Sequence, residues 1–164
     1  MSDNDVMPAT HLFIVCGLPG AGKTTLATEL AAEHHAVRLC PDEWMEQLGV
    51  DLWDADARQR IEQLQWATAG EILQHGTNIV IDWGLWRRSE RDRLLADAHS
   101  IGVAVHLVLL DPPLDVLWER VESRDREARH GTRAITRAEL EQWYHDFERP
   151  DTAELASYDP LVET

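Results

Sequence analysis

Gly17-Leu18-Pro19-Gly20-Ala21-Gly22-Lys23-Thr24 fits the pattern G-x-x-x-x-G-K-[ST] at every fixed position. The chemistry of that spacing is phosphate binding. Gly17, Gly20 and Gly22 let the backbone bend so that successive N–H groups point inward and cradle phosphate oxygens. A helix starting at the end of the loop adds partial positive charge. The Lys23 ammonium can reach β- and γ-phosphates, and the Thr24 hydroxyl can ligate Mg²⁺. Nucleotide contacts are expected from Gly17 through Leu18, Pro19, Gly20, Ala21, Gly22, Lys23 and Thr24 to Thr25. Lys23 is the one lysine in a chain with 15 basic residues. A compact ammonium is therefore used where the chain elsewhere uses the planar guanidinium fork.

Further carboxylates and arginines fall where such a loop needs them. Asp42 follows the short apolar run 37–40, so it stands at the C-terminal edge of a strand, where open α/β sheets bind ligands. There it can accept a proton from an attacking hydroxyl, and it can also cap the turn that follows. Asp82 closes the apolar run 78–81 and is expected to hold Mg²⁺ through water. Its neighbour is Trp83 rather than the Glu that would activate water, which favours transfer to a bound acceptor over hydrolysis. Trp44, Trp83 and Trp86 offer ring faces for that acceptor, with core filling as the other reading of Trp44. Arg88 and Arg91 sit at a helix start, where cations are unfavourable unless an anionic or polar partner is present; they are expected to face the acceptor, with solvated helix-start arginines as the other reading. Arg120 and Arg124 lie one turn apart on one helix face.

The elements that position these groups read as alternating strands and helices. Strands are expected at 12–16, 37–40, 78–81 and 103–110, with a fifth short one at 158–162. Helices are expected from Lys23 to His35, Ala57 to His75, from an N-cap at Ser89 to Ile101, from Pro112 onward, and after the capping box Thr136-Arg137-Ala138-Glu139. Between them lie an irregular, tryptophan-bearing flap at about 43–60 and an arginine-rich lid at about 124–136.

Bulk properties narrow the partners. The length of 164 residues suits one domain. The net charge of −15 works against polyanions such as duplex nucleic acid, so a nucleotide site must be a local positive pocket. No apolar run is long enough to span a membrane and no leader pattern is visible. The two cysteines, Cys16 and Cys40, fall in predicted strands and read as buried thiols of a reducing, cytoplasmic compartment. Monomer and homodimer both remain open.

With the loop, Asp42, Asp82 and the Arg120/Arg124 pair in this order, the chain resembles the P-loop kinases of the zeta-toxin, chloramphenicol phosphotransferase and polynucleotide kinase type, which are small kinases like AAA family ATPases. Shikimate and gluconate kinases are more distant. The likeness runs from about Leu12 to Phe147. It implies a three-layer α/β fold of the P-loop NTPase, nucleotide-kinase-like class, with a five-stranded parallel sheet in 2-3-1-4-5 order. It also implies ATP and Mg²⁺ as cofactors and γ-phosphoryl transfer to a hydroxyl of a small molecule. By the same resemblance Asp42 is the acceptor base, Arg120 lies near the adenine, and Arg124 with a lid arginine contacts phosphate. The segment Asp82-Trp83-Gly84-Leu85-Trp86 departs from the polynucleotide kinase pattern.

Two other functions fit the loop. A polynucleotide 5′-hydroxyl kinase is opposed by the acidic charge and the lack of a basic tract. An ATP-binding switch or ATPase without an acceptor is the other. A guanine-reading N-K-x-D is absent, since Asn4 and Asn78 are the only asparagines.

Overall fold

The computed structural model describes residues 9–127 and 133–161. Four strands form one parallel sheet: β1 (His11–Gly17), β2 (Val37–Leu39), β3 (Ile79–Gly84) and β4 (Ala104–Leu110), in the order β2-β3-β1-β4. The helices are α1 (Lys23–Glu33), α2 (Pro41–Gln47), α3 (Ala55–Gln74), α4 (Arg88–Ser100), α5 (Leu114–Glu127), α6 (Arg137–Asp146) and α7 (Thr152–Leu155).

Parallel strands are crossed over by helices and buried on both faces, so their sequences are continuously apolar. β1 follows this closely: Leu12 to Cys16 have no exposed surface. Its side chains alternate between two cores, as the two-residue period of a strand requires. Leu12 and Ile14 join Ile79, Ile81 and Val105 beneath Ala69 and Leu73 of α3 and Leu94 and Ala98 of α4. Phe13 and Val15 face the other way, onto Ala27 and Leu30 of α1. A third core gathers Cys16 and Leu18 with Leu117 and Val121 of α5 and Leu140 of α6. This fixes the ends of the sheet relative to the loop that follows β1.

The four strands take the expected relative order, but the fifth, expected at 158–162, does not form among the described residues; Val162 lies outside them. Asp159 alone pairs with the free edge of β4. Its N–H donates to Val105 O at 2.8 Å, and its Oδ2 accepts the Val105 N–H at 2.8 Å. The next residue, Pro160, has no N–H with which to continue a ladder.

Several boundaries also shift. The start of the expected irregular flap is helical: Pro41 opens α2, because a proline with preset φ and no N–H suits a first helical position. Asp54 caps α3, its side chain accepting the Ala57 N–H at 2.9 Å. α4 is capped at Arg87, two residues before the expected Ser89, because the Glu90 carboxylate accepts the Arg87 N–H at 3.1 Å. α5 runs to Glu127, so Arg124 is helical like Arg120, as expected, and Arg126 is helical instead of lying in an open lid. Arg129 and Gly131 of that lid are outside the described residues. The capping box at Thr136 forms: Glu139 N–H donates to Thr136 Oγ1 and Thr136 N–H to Glu139 Oε2. Cys16 and Cys40 are both buried free thiols. No helix among the described residues is long and apolar enough to cross a membrane.

Candidate active site

The loop between β1 and α1 is built by glycine. Gly20 has φ of 81°, and a Cβ there would stand 2.7 Å from the Leu117 carbonyl oxygen of α5. Gly17 is as tightly enclosed, a Cβ meeting Leu110 O at 2.6 Å. A side chain is thus excluded at Gly20 by backbone conformation and by α5, and at Gly17 by the end of β4. Leu18 and Ala21 are buried and anchor the loop from below. What faces outward is Pro19, Gly20, Gly22, Lys23, Thr24 and Thr25, along one side of a cavity of about 1000 Å³.

Lys23 Nζ donates to the Leu18 carbonyl at 3.0 Å, folding the side chain over its own loop. Burial lowers the pKa of its ammonium, and the nearby carboxylates of Asp82 and Asp42 oppose that shift. Asp82 lies on β3 beside Val15 of β1. The register slips by one residue just after this pair, so that Cys16 faces Gly84 and Trp83 is left unpaired with β1. Asp82 is buried and its Oδ2 accepts from Arg38 Nη1 at 3.1 Å; Arg38 also pairs with Glu43. Asp42, exposed on the first turn of α2, accepts from Arg58 Nη2 at 2.5 Å. Arg58 Nη2 also reaches Leu52 O, at 3.3 Å. On the far side of the loop Arg120 Nη1 donates to Gly20 O at 3.3 Å, while Arg124 lines the cavity with its Nε 3.7 Å from Asp125.

Among the expected acceptor residues, Trp83 and Trp86 line the cavity. Trp83 Nε1 is held by Gln65 Oε1 at 2.9 Å, and Trp86 Nε1 donates to Gly17 O at 3.3 Å. Three others are elsewhere. Trp44 packs against the core under α3 and α4. Arg91 is fully buried, its Nε and Nη2 on the two oxygens of Glu154 at 2.6 and 3.0 Å, with further bonds to Leu85 O and Glu148 O. Arg88 turns to the same C-terminal segment, pairing with Asp151 at 3.3 Å and Asp92 at 3.5 Å. The partner that a cation at a helix start requires is therefore the protein's own acidic tail segment.

The motifs single out none of Arg38, Arg58, Glu62 and Trp143 as site residues, and Arg133 is expected only as one of several lid arginines. A lone arginine inside the short apolar strand Val37-Arg38-Leu39 is the one local signal among them. The others depend on packing: Arg133 lies over the Trp53 ring at 3.9 Å, and the Trp143 ring lies tilted against Trp86, 5.5 Å between centroids. All but Arg38 line the cavity.

Solved structures share this fold. A component of the Pnkp1/Rnl/Hen1 RNA repair complex superposes with a TM-score of 0.70 at 21% identity, over 97% of this chain and 49% of its own. This chain thus spans about half the length of that protein. A putative kinase from Chloroflexus aurantiacus J-10-fl gives 0.69 at 26% identity, over 84% of this chain and 76% of its own. A gluconokinase from Sinorhizobium meliloti 1021 gives 0.59 at 24% identity, over 89% and 78%. No curated protein matches the chain significantly. The family model described as an AAA domain matches residues 12–150. That span takes in β1 from Leu12 onward, the other three strands and every side chain of the cleft, and the chain belongs to this AAA domain family, on the fold of the small P-loop kinases.

Proposed function

We propose that the chain is a single P-loop kinase domain that transfers the γ-phosphoryl group of ATP to a hydroxyl of a small molecule. One observation carries the reading: Lys23 and Asp42 line the same cavity, and the residue after Asp82 is Trp83, not an acid that would activate water. The likeness to a putative kinase and a gluconokinase supports it.

In this reading the loop N–H groups and Lys23 hold the β- and γ-phosphates, with Arg120 beside the nucleotide and Arg124 on the phosphate chain. The residues suit a divalent cation: the Thr24 hydroxyl is exposed at the loop, and Asp82 has one oxygen committed to Arg38 and one without a partner among the described residues. Mg²⁺ held there would neutralise charge on the phosphates. Asp42 takes the proton of the acceptor hydroxyl. The acceptor oxygen forms the new bond to the γ-phosphorus, the bond from that phosphorus to the β-bridging oxygen breaks, and ADP leaves with the electron pair. Cationic groups matter most as charge spreads over the transferring group. Asp42→Asn should lower kcat by about 10²–10⁴-fold with ATP affinity retained. A variant within a few-fold of the parent would remove Asp42 as base.

A polynucleotide acceptor is the second reading, favoured by the likeness to the RNA repair component. The net charge of −15 and the acids lining the cleft oppose it. Phosphorylation of an oligonucleotide 5′-hydroxyl at moderate salt, above any small-molecule acceptor, would establish it.

A further inference from the structure

The cleft carries opposite charge at its two ends. Around the phosphate loop the lining cations are Lys23, Arg120 and Arg124, against Asp82 and Asp125. Beyond Asp42 the helices α2, α3 and α4 contribute Glu46, Glu62 and Glu90. Two of the three arginines lining that end are engaged by other groups. Arg58 holds Asp42, and Arg133 pairs with Glu139 while covering Trp53. Arg87 is exposed, and its backbone N–H is what Glu90 accepts. The side-chain carboxylates of Glu46 and Glu62 form no hydrogen bond or ion pair among the described residues.

Glu62 is the more telling of the two, because it is half-buried. Burial pushes its carboxyl up to about 7; Glu90 and Asp42 push the same way, while Arg58 and Arg93 oppose. A half-buried carboxyl with acidic neighbours and no bonded cation is costly to ionise until a cation sits beside it, so an incoming cation would be stabilised there. Trp83 and Trp86 line the same cavity. Carboxylate together with indole is the combination that binds organic ammonium groups, by charge-assisted hydrogen bonding and by cation–π attraction.

We propose that the acceptor is a hydroxyl compound bearing a protonated amine, the amine against Glu62 and the tryptophan rings and the hydroxyl toward Asp42. This rests on the phosphotransferase reading and names its substrate class. The amine takes no part in the bond changes: the hydroxyl proton goes to Asp42, the phosphoryl group to the hydroxyl oxygen, and ADP departs. Acidic acceptors are disfavoured, because their charge meets Glu46, Glu62 and Glu90.

Matched compounds test it. The full chain loaded with ADP and Mg²⁺ is titrated calorimetrically with glucosamine, glucose and gluconate, and with kanamycin against maltotriose. Each amine should bind at least about tenfold more tightly than its neutral counterpart, with gluconate weakest. Glu62→Gln should bring amine and neutral compounds to within about twofold while leaving ADP affinity as it was. Equal or tighter binding of the neutral or acidic compounds, no binding of any amine, or an amine preference that survives Glu62→Gln would each overturn the proposal. ADP release from ATP on the same compounds separates the two claims. Transfer to neutral or acidic acceptors in preference to amines keeps the kinase and removes the amine site. Amine binding without transfer to any compound removes the kinase.

Discussion

Arg58 on α3 holds Asp42 on α2 by a 2.5 Å hydrogen bond across the mouth of the cleft. Asp42 is otherwise an exposed side chain on the first turn of a seven-residue helix. An exposed carboxylate samples several rotamers, and a base must meet its hydroxyl in one of them. Arg58 therefore positions Asp42. Arg58→Ala should lower kcat by about 10–100-fold with little change in the KM for ATP. Steady-state kinetics on the parent and variant decide it. A rise in the KM for ATP with kcat unchanged would place Arg58 at the nucleotide instead.

Arg91 and Glu154 make a different kind of pair. Both are buried, the two oxygens of Glu154 are met by two nitrogens of Arg91, and the guanidinium is completed by two backbone carbonyls. Removing one partner leaves an uncompensated buried charge. Glu154→Gln should lower unfolding free energy by about 3–5 kcal/mol, read by urea denaturation. A loss below 1 kcal/mol, roughly the worth of an exposed pair, would show that the site is open to water.

These two pairs also explain how far the sequence reaches. The loop, the four apolar strands and Asp82 are legible because each is set by near neighbours: glycine spacing, continuous apolar runs, an acid at a strand end. Six of the residues read out on that basis, Lys23, Thr24, Asp42, Asp82, Arg120 and Arg124, do line one cavity. Arg91 is not legible, because its partner lies 63 residues along the chain. A cation at a helix start signals that a partner exists without saying which. Arg38 meets Asp82 across 44 residues for the same reason. The tail at Tyr158 and Asp159 looks like a strand start, but one proline ends the pairing after Asp159.

Glu62 predicts a pH dependence. Its carboxyl is raised from 4.5 to about 7 in the folded chain. Between those values the folded protein binds more protons than the unfolded chain, so stability falls as pH rises through the window. The destabilisation is absent below about 4.5 and complete above about 7. Glu62→Gln should thus leave stability unchanged near pH 4.5 and raise it by about 1–2 kcal/mol at pH 8, allowing for partial exposure to water. Thermal melts of both proteins across that range read the difference. A parallel shift at all pH values would mean that Glu62 does not titrate in the window.

Gly20→Ala isolates the loop. A Cβ at φ of 81° and 2.7 Å from Leu117 O strains the backbone. The strain should cost about 1–3 kcal/mol and weaken ATP binding by distorting the N–H cradle. Calorimetric titration with ATP and a urea melt measure both effects. Unchanged affinity and stability would show that the loop rearranges freely, contrary to its packing against α5.

The central claim is phosphoryl transfer to an acceptor, and acceptor-dependent ADP release from ATP and Mg²⁺ tests it most directly. The panel should span amine-bearing, neutral and acidic hydroxyl compounds and short oligonucleotides, with an acceptor-free control and the Lys23→Ala variant alongside. The account predicts turnover well above the control for at least one small amine-bearing hydroxyl compound, and its loss in Lys23→Ala. Steady ADP release that is the same with and without every acceptor, and that Lys23→Ala abolishes, would contradict it and make the protein an ATPase.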